Sequence, residues 1–93
     1  MNPEQNSRLQ LRVVSPSRLL VEAEVLEVQV PGLDGYLGIW PGHRPLNACL
    51  GQGELIYRTV LGREEKVNIK NGLVRVADDK ILVLTEMEDD DRV

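Results

Sequence analysis

The side chains that could take part in catalysis are few and are spread along the chain. The sequence has one histidine, His43, and one cysteine, Cys49. Ser15, His43 and Asp34 supply a hydroxyl, a base and an acid. Their order and spacing do not match a motif that exposes a nucleophile on a strand-to-helix turn. We therefore predict no catalytic residues and a protein that is not an enzyme.

The same scarcity argues against a metal or nucleotide site. A zinc site needs three or four converging ligands, and a single histidine without cysteine partners does not provide them. The sequence contains no G-x-x-x-x-G-K-[ST] run, so no phosphate-binding loop of that type is expected. With no second thiol for a disulfide, Cys49 is expected to be a small buried apolar residue. We predict no metal, no nucleotide-binding residues and no cofactor.

Most of the glycines and prolines, two of the three aromatic residues and the histidine lie in residues 31–53. This segment holds nine of the thirteen glycines and prolines, together with His43, Trp40 and Tyr36. Glycine and proline restrict the backbone to particular conformations, so we predict a rigid, irregular loop system suited to binding. Two simpler interpretations remain open: His43 donates to a backbone carbonyl within a tight loop, and Trp40 fills the core between two sheets.

The rest of the sequence alternates apolar and polar residues with the period of β-strands. The alternating runs cover residues 9–13, 26–30, 55–60, 66–70, 73–77 and 81–85, the last being apolar enough for a strand buried on both faces. The connections are short, and Asn71-Gly72 has the composition of a type I′ hairpin turn. The pattern predicts an all-β fold, an antiparallel β-sandwich of two packed sheets with a Gly/Pro-rich loop system.

Length and charge limit the organisation and the partners. Ninety-three residues suit one domain. The net charge of −4 comes from the last residues, because residues 1–85 carry ten basic and ten acidic side chains. A neutral body with three aromatic side chains is a poor nucleic-acid binder. The polar start MNPEQNSR predicts no signal peptide. We expect a disordered extension over residues 1–7, a domain over 8–86 and an acidic tail over 87–93.

The segment GYLGIWPGHRPL, residues 35–46, closely resembles the signature of one family, the amino-terminal β-sandwich domain of the F-type ATP synthase epsilon subunit. The flanking segments LQLRVVSPSRLLVEAEVLEVQVPGLDG, LGQGELIYR and NGLVRVADDKILVLTE resemble the family's strands in the same order. The resemblance extends from about Leu9 to Glu86. It implies two packed sheets and a non-catalytic subunit of the rotating central stalk, which contacts the gamma subunit and the polar loops of the membrane-embedded c-ring.

The resemblance also implies two sets of interface residues. The set matching the loop that faces the c-ring is Asp34, Gly35, Tyr36, Leu37 and Gly38. The set matching positions that face gamma is Ser15, His43, Arg44, Pro45 and Leu46. The implied location is peripheral, on the cytoplasmic side of an energy-converting membrane, with membrane association only through the complex.

Two departures from the family pattern affect the expected mechanism. Many relatives carry a carboxylate where this chain has Tyr36, so docking on the c-ring is expected to use Asp34 or an aromatic contact instead. Many relatives also continue into a helical hairpin, whereas this sequence stops near Asp91. The alternative to a stalk subunit is a free-standing β-sandwich module that binds a protein or a small ligand.

Overall fold

The computed structural model describes residues 7–86, and every regular element within that range is a β-strand. The strands are β1 (Leu9–Val14), β2 (Leu19–Gly32), β3 (Gly35–Ile39), β4 (Leu46–Thr59), β5 (Glu64–Ala77) and β6 (Lys80–Thr85). The predicted all-β class is confirmed. No helix in this part of the chain is long and apolar enough to cross a membrane. The expected tail, and the expected N-terminal extension apart from Ser7, lie outside the described residues.

The strands form one sheet that closes on itself. Its order is β1-β6-β5-β4-β2-β3, and β1 also pairs with β2, so the ring is complete and β3 is attached to β2 as an edge strand. The division into two separate sheets is therefore not confirmed. Three strands are 14 residues long. The first half of β2 pairs with β1 and its second half with β4 and β3, which lets the sheet curl around its core. All pairings are antiparallel except the one between β1 and β6, which is parallel.

The interior contains the residues of one face of each strand. Alternation along β1 buries Leu9, Leu11 and Val13 completely, as the pattern predicts. A register shift in β2 between Val25 and Glu27 changes the alternation there. The fully buried β2 core is Val25, Val28 and Val30. The other members of the core are Ile39, Leu50, Leu55, Ile69, Val74, Val76, Ile81 and Val83.

Strand β6 is buried on one face only, so the prediction of burial on both faces is wrong. Ile81 and Val83 face the interior, whereas Leu84 is 43% exposed. Leu82 is also only partly buried. In a single closed sheet the outer face has no second layer above it, and apolar residues that alternate outward remain accessible. A run of four apolar residues does not distinguish this arrangement from a doubly covered strand.

The expected hairpin at Asn71-Gly72 is also wrong. Strand β5 continues through both residues, which have φ values of 57° and 132°. The two-residue hairpin lies at Asp78-Asp79, where both residues have positive φ, the geometry of a type I′ turn. Positive φ at Asn71 instead forms an irregularity beside the last pair between β5 and β6, in which Gly72 lies opposite Thr85, the final residue of β6. The same residue types thus bend a long strand rather than reversing it.

The predicted loop system across residues 31–53 is largely strand. Strand β2 runs to Gly32, β3 covers Gly35–Ile39, and β4 begins at Leu46. Only residues 33–34 and 40–45 connect strands. Gly38 lies on the edge strand β3, and the side chain of Trp40 occupies the space above it, as those of Pro31 and Tyr36 do at Gly53 on β4. The irregular part of the segment is therefore a short turn and one loop.

The partly buried Tyr57 makes stability depend on pH in the alkaline range. Burial raises the pKa of Tyr57 above its ordinary value of 10.0, and the carboxylate of Glu65, opposite it on β5, raises it further. Folding favours the neutral phenol. The contribution of Tyr57 to the free energy of unfolding is therefore fully present below pH 10.0 and is lost as the pH rises through the raised pKa. We expect the free energy of unfolding of Tyr57→Phe not to show this fall with rising pH. Urea unfolding at a series of alkaline pH values measures it.

The control for this prediction is Glu65→Gln, which should remove only the electrostatic part of the effect. Absorbance titration of the Tyr57 phenol in a Tyr36→Phe background should show ionisation above pH 10.0. An unchanged alkaline stability profile in Tyr57→Phe would contradict the assignment.

Candidate functional site

The β2–β3 connection projects apolar side chains into solvent. Leu33 and Asp34 form a two-residue link closed by the pair Gly32–Gly35. Leu33 is 69% exposed and Tyr36 is 54% exposed. We call residues 32–36 the tip. Of the five residues expected to face the c-ring, Asp34, Gly35 and Tyr36 lie in the tip and are exposed, whereas Leu37 and Gly38 lie further along β3 and are half-buried. A tip with two large accessible side chains on a paired hairpin is a preorganised contact surface.

Tyr36 is held in place by β4, the strand on the far side of β2. Its hydroxyl oxygen accepts a hydrogen bond from the backbone N–H of Glu54 at 3.2 Å. A Cβ at Gly53 would lie 3.1 Å from that oxygen and 3.0 Å from the Pro31 Cβ, so the ring uses the space that a side chain at Gly53 would occupy. The phenol is therefore fixed across β4, and its remaining surface is available to a partner.

Trp40 does not fill the core. Its side chain is 52% exposed and lies over Gly38, where an added Cβ would come within 2.6 Å of the indole Cη2 atom. Ile39, one residue earlier, takes the inward position and is fully buried. The interpretation of Trp40 as a core residue is wrong because strand alternation turns it to the outer face, on the same side as Tyr36.

The Pro-Gly-His segment forms a type II turn. The backbone N–H of His43 donates to the carbonyl of Trp40 at 3.1 Å, and Gly42 has φ 86°. Proline at the second position and glycine at the third are the residues this turn requires. The imidazole Nδ1 lies 2.7 Å from the carbonyl oxygen of Arg44, a contact made when Nδ1 carries the proton. The interpretation of His43 as a histidine that donates to a backbone carbonyl in a tight loop is confirmed.

An acidic side chain from another turn supports the loop that contains His43. The backbone N–H of Gly42 donates to Asp79 Oδ1 at 2.7 Å. The backbone carbonyl of Asp79 accepts from the N–H of Gln10 at 2.9 Å, at the start of β1. One residue therefore connects the β5–β6 turn, the loop over residues 40–45 and the beginning of the parallel pairing.

Removing the Asp79 carboxylate should loosen this loop. We expect Asp79→Gly, which keeps the positive φ (60°) easily accessible, to lower stability by about 1 kcal/mol through loss of the charge-assisted hydrogen bond. Hydrogen exchange of the Gly42 amide should accelerate by about tenfold or less, in keeping with that energy.

Asp79→Asn is the matched control, because it retains an oxygen acceptor and tolerates the same backbone conformation. Its Gly42 amide should remain protected. Equal exchange in wild type and Asp79→Gly would mean that the loop does not depend on this contact.

Ser15 lies apart from the other residues expected to face gamma. It is 5% exposed, and its hydroxyl accepts from the N–H groups of Ser17 and Arg18 at 3.3 and 3.2 Å. Ser15 directly follows the last residue of β1. Asp79, which is hydrogen-bonded to the loop containing His43, contacts Gln10 near the start of β1. At roughly 3.3 Å per residue these ends are about 16 Å apart. The hydroxyl thus builds the β1–β2 corner.

Leu46 meets the tip residues in one open groove. The groove has a volume of about 320 Å³, and Leu46, Ala48 and Cys49 line it on the β4 side. The tip and Leu37 form its other wall. Cys49 is exposed, so the prediction that it is buried is wrong, since Leu50 occupies the inward position of β4. Of the set expected to face gamma, Leu46 therefore adjoins the tip at this groove.

Two residues of the site escaped sequence reasoning. Leu33 lies in a turn, where polar residues are usual, so an apolar residue at this position could have indicated a binding surface. Asp79 lies 37 positions from Gly42, and no local pattern connects them. Across residues 7–86 no group of three or more histidine, cysteine, aspartate or glutamate side chains is placed to hold a metal ion.

The fold is a closed β-sheet that presents accessible side chains on a braced hairpin. Residues 8–87 match the family model for the ATP synthase, Delta/Epsilon chain, beta-sandwich domain, and the chain belongs to this family. This membership confirms the predicted resemblance.

The chain is also similar to curated ATP synthase epsilon chains. The chain is 43% identical over 79 residues to an ATP synthase epsilon chain of Solibacter usitatus, with 85% of this chain and 58% of that protein covered. It is 40% identical over 81 residues to one of Leptospira interrogans, with coverages of 86% and 62%. The chain thus spans about three fifths of the length of these relatives.

Solved structures share the fold at low sequence identity. One is a chain of the Euglena gracilis mitochondrial ATP synthase, in a complex described as OSCP/F1/c-ring, with TM-score 0.80 and 20% identity over 86% of this chain and 51% of that one. Another is from the Tetrahymena thermophila mitochondrial ATP synthase central stalk and c-ring, with TM-score 0.70, 15% identity and coverages of 85% and 63%. These similarities concern the fold.

Proposed function

We propose that this chain is a non-catalytic central-stalk subunit of the F1 sector of a rotary ATP synthase. In this proposal it binds the gamma subunit and the polar loops of the c-ring, and it helps to couple ion translocation to ATP synthesis. Family membership and the names of the relatives support a role in ATP synthase. The observation that most supports binding to gamma and to the c-ring is that the braced tip lies beside the Pro-Gly-His turn. These are two accessible surfaces on one rigid sheet.

The tip is the proposed contact with the c-ring. Leu33 and Tyr36 supply most of its accessible apolar surface, and Asp34 supplies a carboxylate for a basic loop residue. Hydrogen bonding of the Tyr36 hydroxyl to Glu54 fixes the ring before binding, so little conformational entropy is lost on docking. A surface of this kind transmits force with little internal motion.

The loop containing His43 is the proposed contact with gamma. Arg44 and Pro45 are exposed, and His43 and Leu46 are half-buried. Because the imidazole Nδ1 is engaged by the Arg44 carbonyl, Nε2 and the ring edge are the atoms left for a partner. Ser15 contributes to this proposal indirectly, by shaping the β1–β2 corner, since its hydroxyl is already hydrogen-bonded. The implied location is peripheral, on the cytoplasmic side of an energy-converting membrane.

Reconstitution with the gamma subunit from the same organism tests the proposal. We expect the folded chain and gamma to elute together as a stable one-to-one complex in size-exclusion chromatography, and the c-ring to bind that complex. Failure of the folded chain to bind gamma would overturn the assignment and would favour a free-standing binding module.

A further inference from the structure

Strand β3 has one long side that no other strand covers. It pairs with β2 in a regular antiparallel register from Gly35 to Ile39, and it is the last strand in the order of the sheet. Within residues 7–86 the opposite side of β3 pairs with no strand. The main chain on that side is therefore able to form further hydrogen bonds.

The register identifies the main-chain groups that lie on this side. The two-residue link between β2 and β3 closes on the pair Gly32–Gly35, which exchanges the hydrogen bonds of such a hairpin. Bonded and non-bonded pairs alternate along an antiparallel ladder, so the next pair, Pro31–Tyr36, is a non-bonded one, in agreement with the missing N–H of proline. Gly38 is the next residue of this kind. The N–H and C=O groups of Tyr36 and Gly38 thus point away from β2, and we call these groups the free edge.

Strand β3 carries none of the features that protect an exposed edge. Natural edge strands are blunted by charged side chains, by proline or by a β-bulge. The segment GYLGI has no charged residue and no proline, and its pairing with β2 has no register shift. Asp34 and Pro41 lie just outside it. An edge of this kind pairs readily with another strand, which indicates that it is covered in the assembled protein.

The groove beside the tip lies along the free edge. Leu37 on β3 and Leu46 and Ala48 on β4 line this groove of about 320 Å³, and all three side chains are half-buried. Successive side chains of a strand alternate between its two faces, so every second side chain of a strand added to β3 would enter the groove. The apolar lining selects apolar side chains at these alternate positions.

We propose that an extended segment of the gamma subunit adds to β3 as a further strand, hydrogen-bonded to the free edge and with apolar side chains at alternate positions in the groove. Main-chain hydrogen bonds supply the affinity, and the groove selects the side chains. Leu46, which lines the groove, and the loop containing His43, which follows β3, belong to the proposed contact with gamma. This inference rests on the proposed function and specifies how gamma is held. Because the main chain makes the bonds, replacing the side chain of Tyr36 leaves them in place.

Amide hydrogen exchange of the full chain, alone and in complex with gamma, tests the pairing. In the chain alone we expect the amides of Tyr36 and Gly38 to exchange rapidly, and those of Leu37 and Ile39, which are bonded to β2, to exchange slowly. In the complex the amides of Tyr36 and Gly38 should slow by at least about tenfold. The amide of Leu61, in the β4–β5 turn, should not change.

Gly38→Pro and Gly38→Ala are a matched pair of variants. Both add a Cβ, which would come within 2.6 Å of the Trp40 indole and displace it equally, but only proline removes the N–H at the free edge. We expect Gly38→Pro to bind gamma at least about tenfold more weakly than Gly38→Ala. Urea unfolding of both variants separates loss of binding from loss of fold.

The outcomes separate this inference from the proposed function. If the wild-type chain binds gamma while the amides of Tyr36 and Gly38 still exchange rapidly, or if the two variants bind gamma equally, strand addition is overturned and the proposed function stands. Failure of the wild-type chain to bind gamma overturns the proposed function and this inference with it. Self-association of the chain that Gly38→Pro prevents would also overturn the inference, because the occupant of the free edge would then be a second copy.

Discussion

Replacing Gly72 by alanine is expected to lower the free energy of unfolding by about 3 kcal/mol or more, the largest effect of any single substitution proposed here. A Cβ at this position would overlap the carbonyl oxygen of Leu84 and lie 2.8 Å from its carbonyl carbon and 3.0 Å from the Thr85 Cα. All three atoms belong to the backbone, so no side-chain rotation relieves the overlap. The positive φ of 132° adds strain for any residue with a Cβ.

The overlap would fall at the last residue pair between β5 and β6. Around Gly72 the Thr85 hydroxyl accepts from the N–H of Lys70 at 3.0 Å, and the N–H of Glu86 donates to the Lys70 carbonyl, also at 3.0 Å. Moving β6 away from β5 would weaken these bonds together with the pairing of the two strands. Urea unfolding monitored by far-UV circular dichroism measures the effect.

Gly62→Ala is the control for backbone strain alone. Gly62 has φ 89°, but an added Cβ would meet nothing within 4 Å. Its expected cost is about 1 kcal/mol. If Gly62→Ala and Gly72→Ala destabilise the protein equally, positive φ explains both, and close approach of β6 is not the reason for glycine at 72.

Replacing Tyr36 by alanine is expected to weaken c-ring binding at least about tenfold while leaving gamma binding unchanged, if the proposed function is correct. The substitution removes a large aromatic contact that Glu54 holds in position, at a tip where the other large accessible side chain is Leu33. Binding of the chain–gamma complex to detergent-solubilised c-ring measures the effect. Leu33→Ser should have an effect in the same direction.

Salt dependence distinguishes an aromatic contact from an ionic one. At about 1 M salt the screening length is about 3 Å, so an ion pair made by Asp34 would be weakened, whereas burial of Tyr36 would be retained. We expect c-ring binding to persist, and Asp34→Asn to have a smaller effect than Tyr36→Ala. The opposite ranking, with loss of binding in high salt, would assign the docking energy to the carboxylate.

The all-β class and much of the core were predictable because period-two alternation reports which face of a strand is buried. Leu9, Leu11 and Val13 are the clearest case, since polar neighbours separate them and the pairing of β1 with β2 is regular from Leu9 to Val13. Predictions failed where alternation changes phase or where both faces are apolar. At the register shift after Val25, Val25 is buried and Leu26 is only partly buried, although Leu26 alternates with Val28. The outer leucines of β6 resemble core residues in composition.

The site was predictable in part, through the chemistry of short turns. Proline and glycine at 41 and 42 specify the type II turn, and the resemblance to a known family indicated the tip and the loop containing His43. The buried hydroxyl of Ser15 and the exposure of Trp40 were not predictable, because each depends on which face of the closed sheet a residue occupies.

The sequence by itself determined the strand-forming pattern, the Pro-Gly turn and the membership of a family, since all three depend on residue types at short separations. The tertiary structure decided which residues become neighbours. Only the closed register brings Asp79 to the amide of Gly42, continues β5 through Asn71 and Gly72, and aligns Leu19, Leu73 and Leu84 on the outer face. The physical reason is that pairing between distant strands is set by closure of the whole sheet around one core, a constraint that no local segment contains.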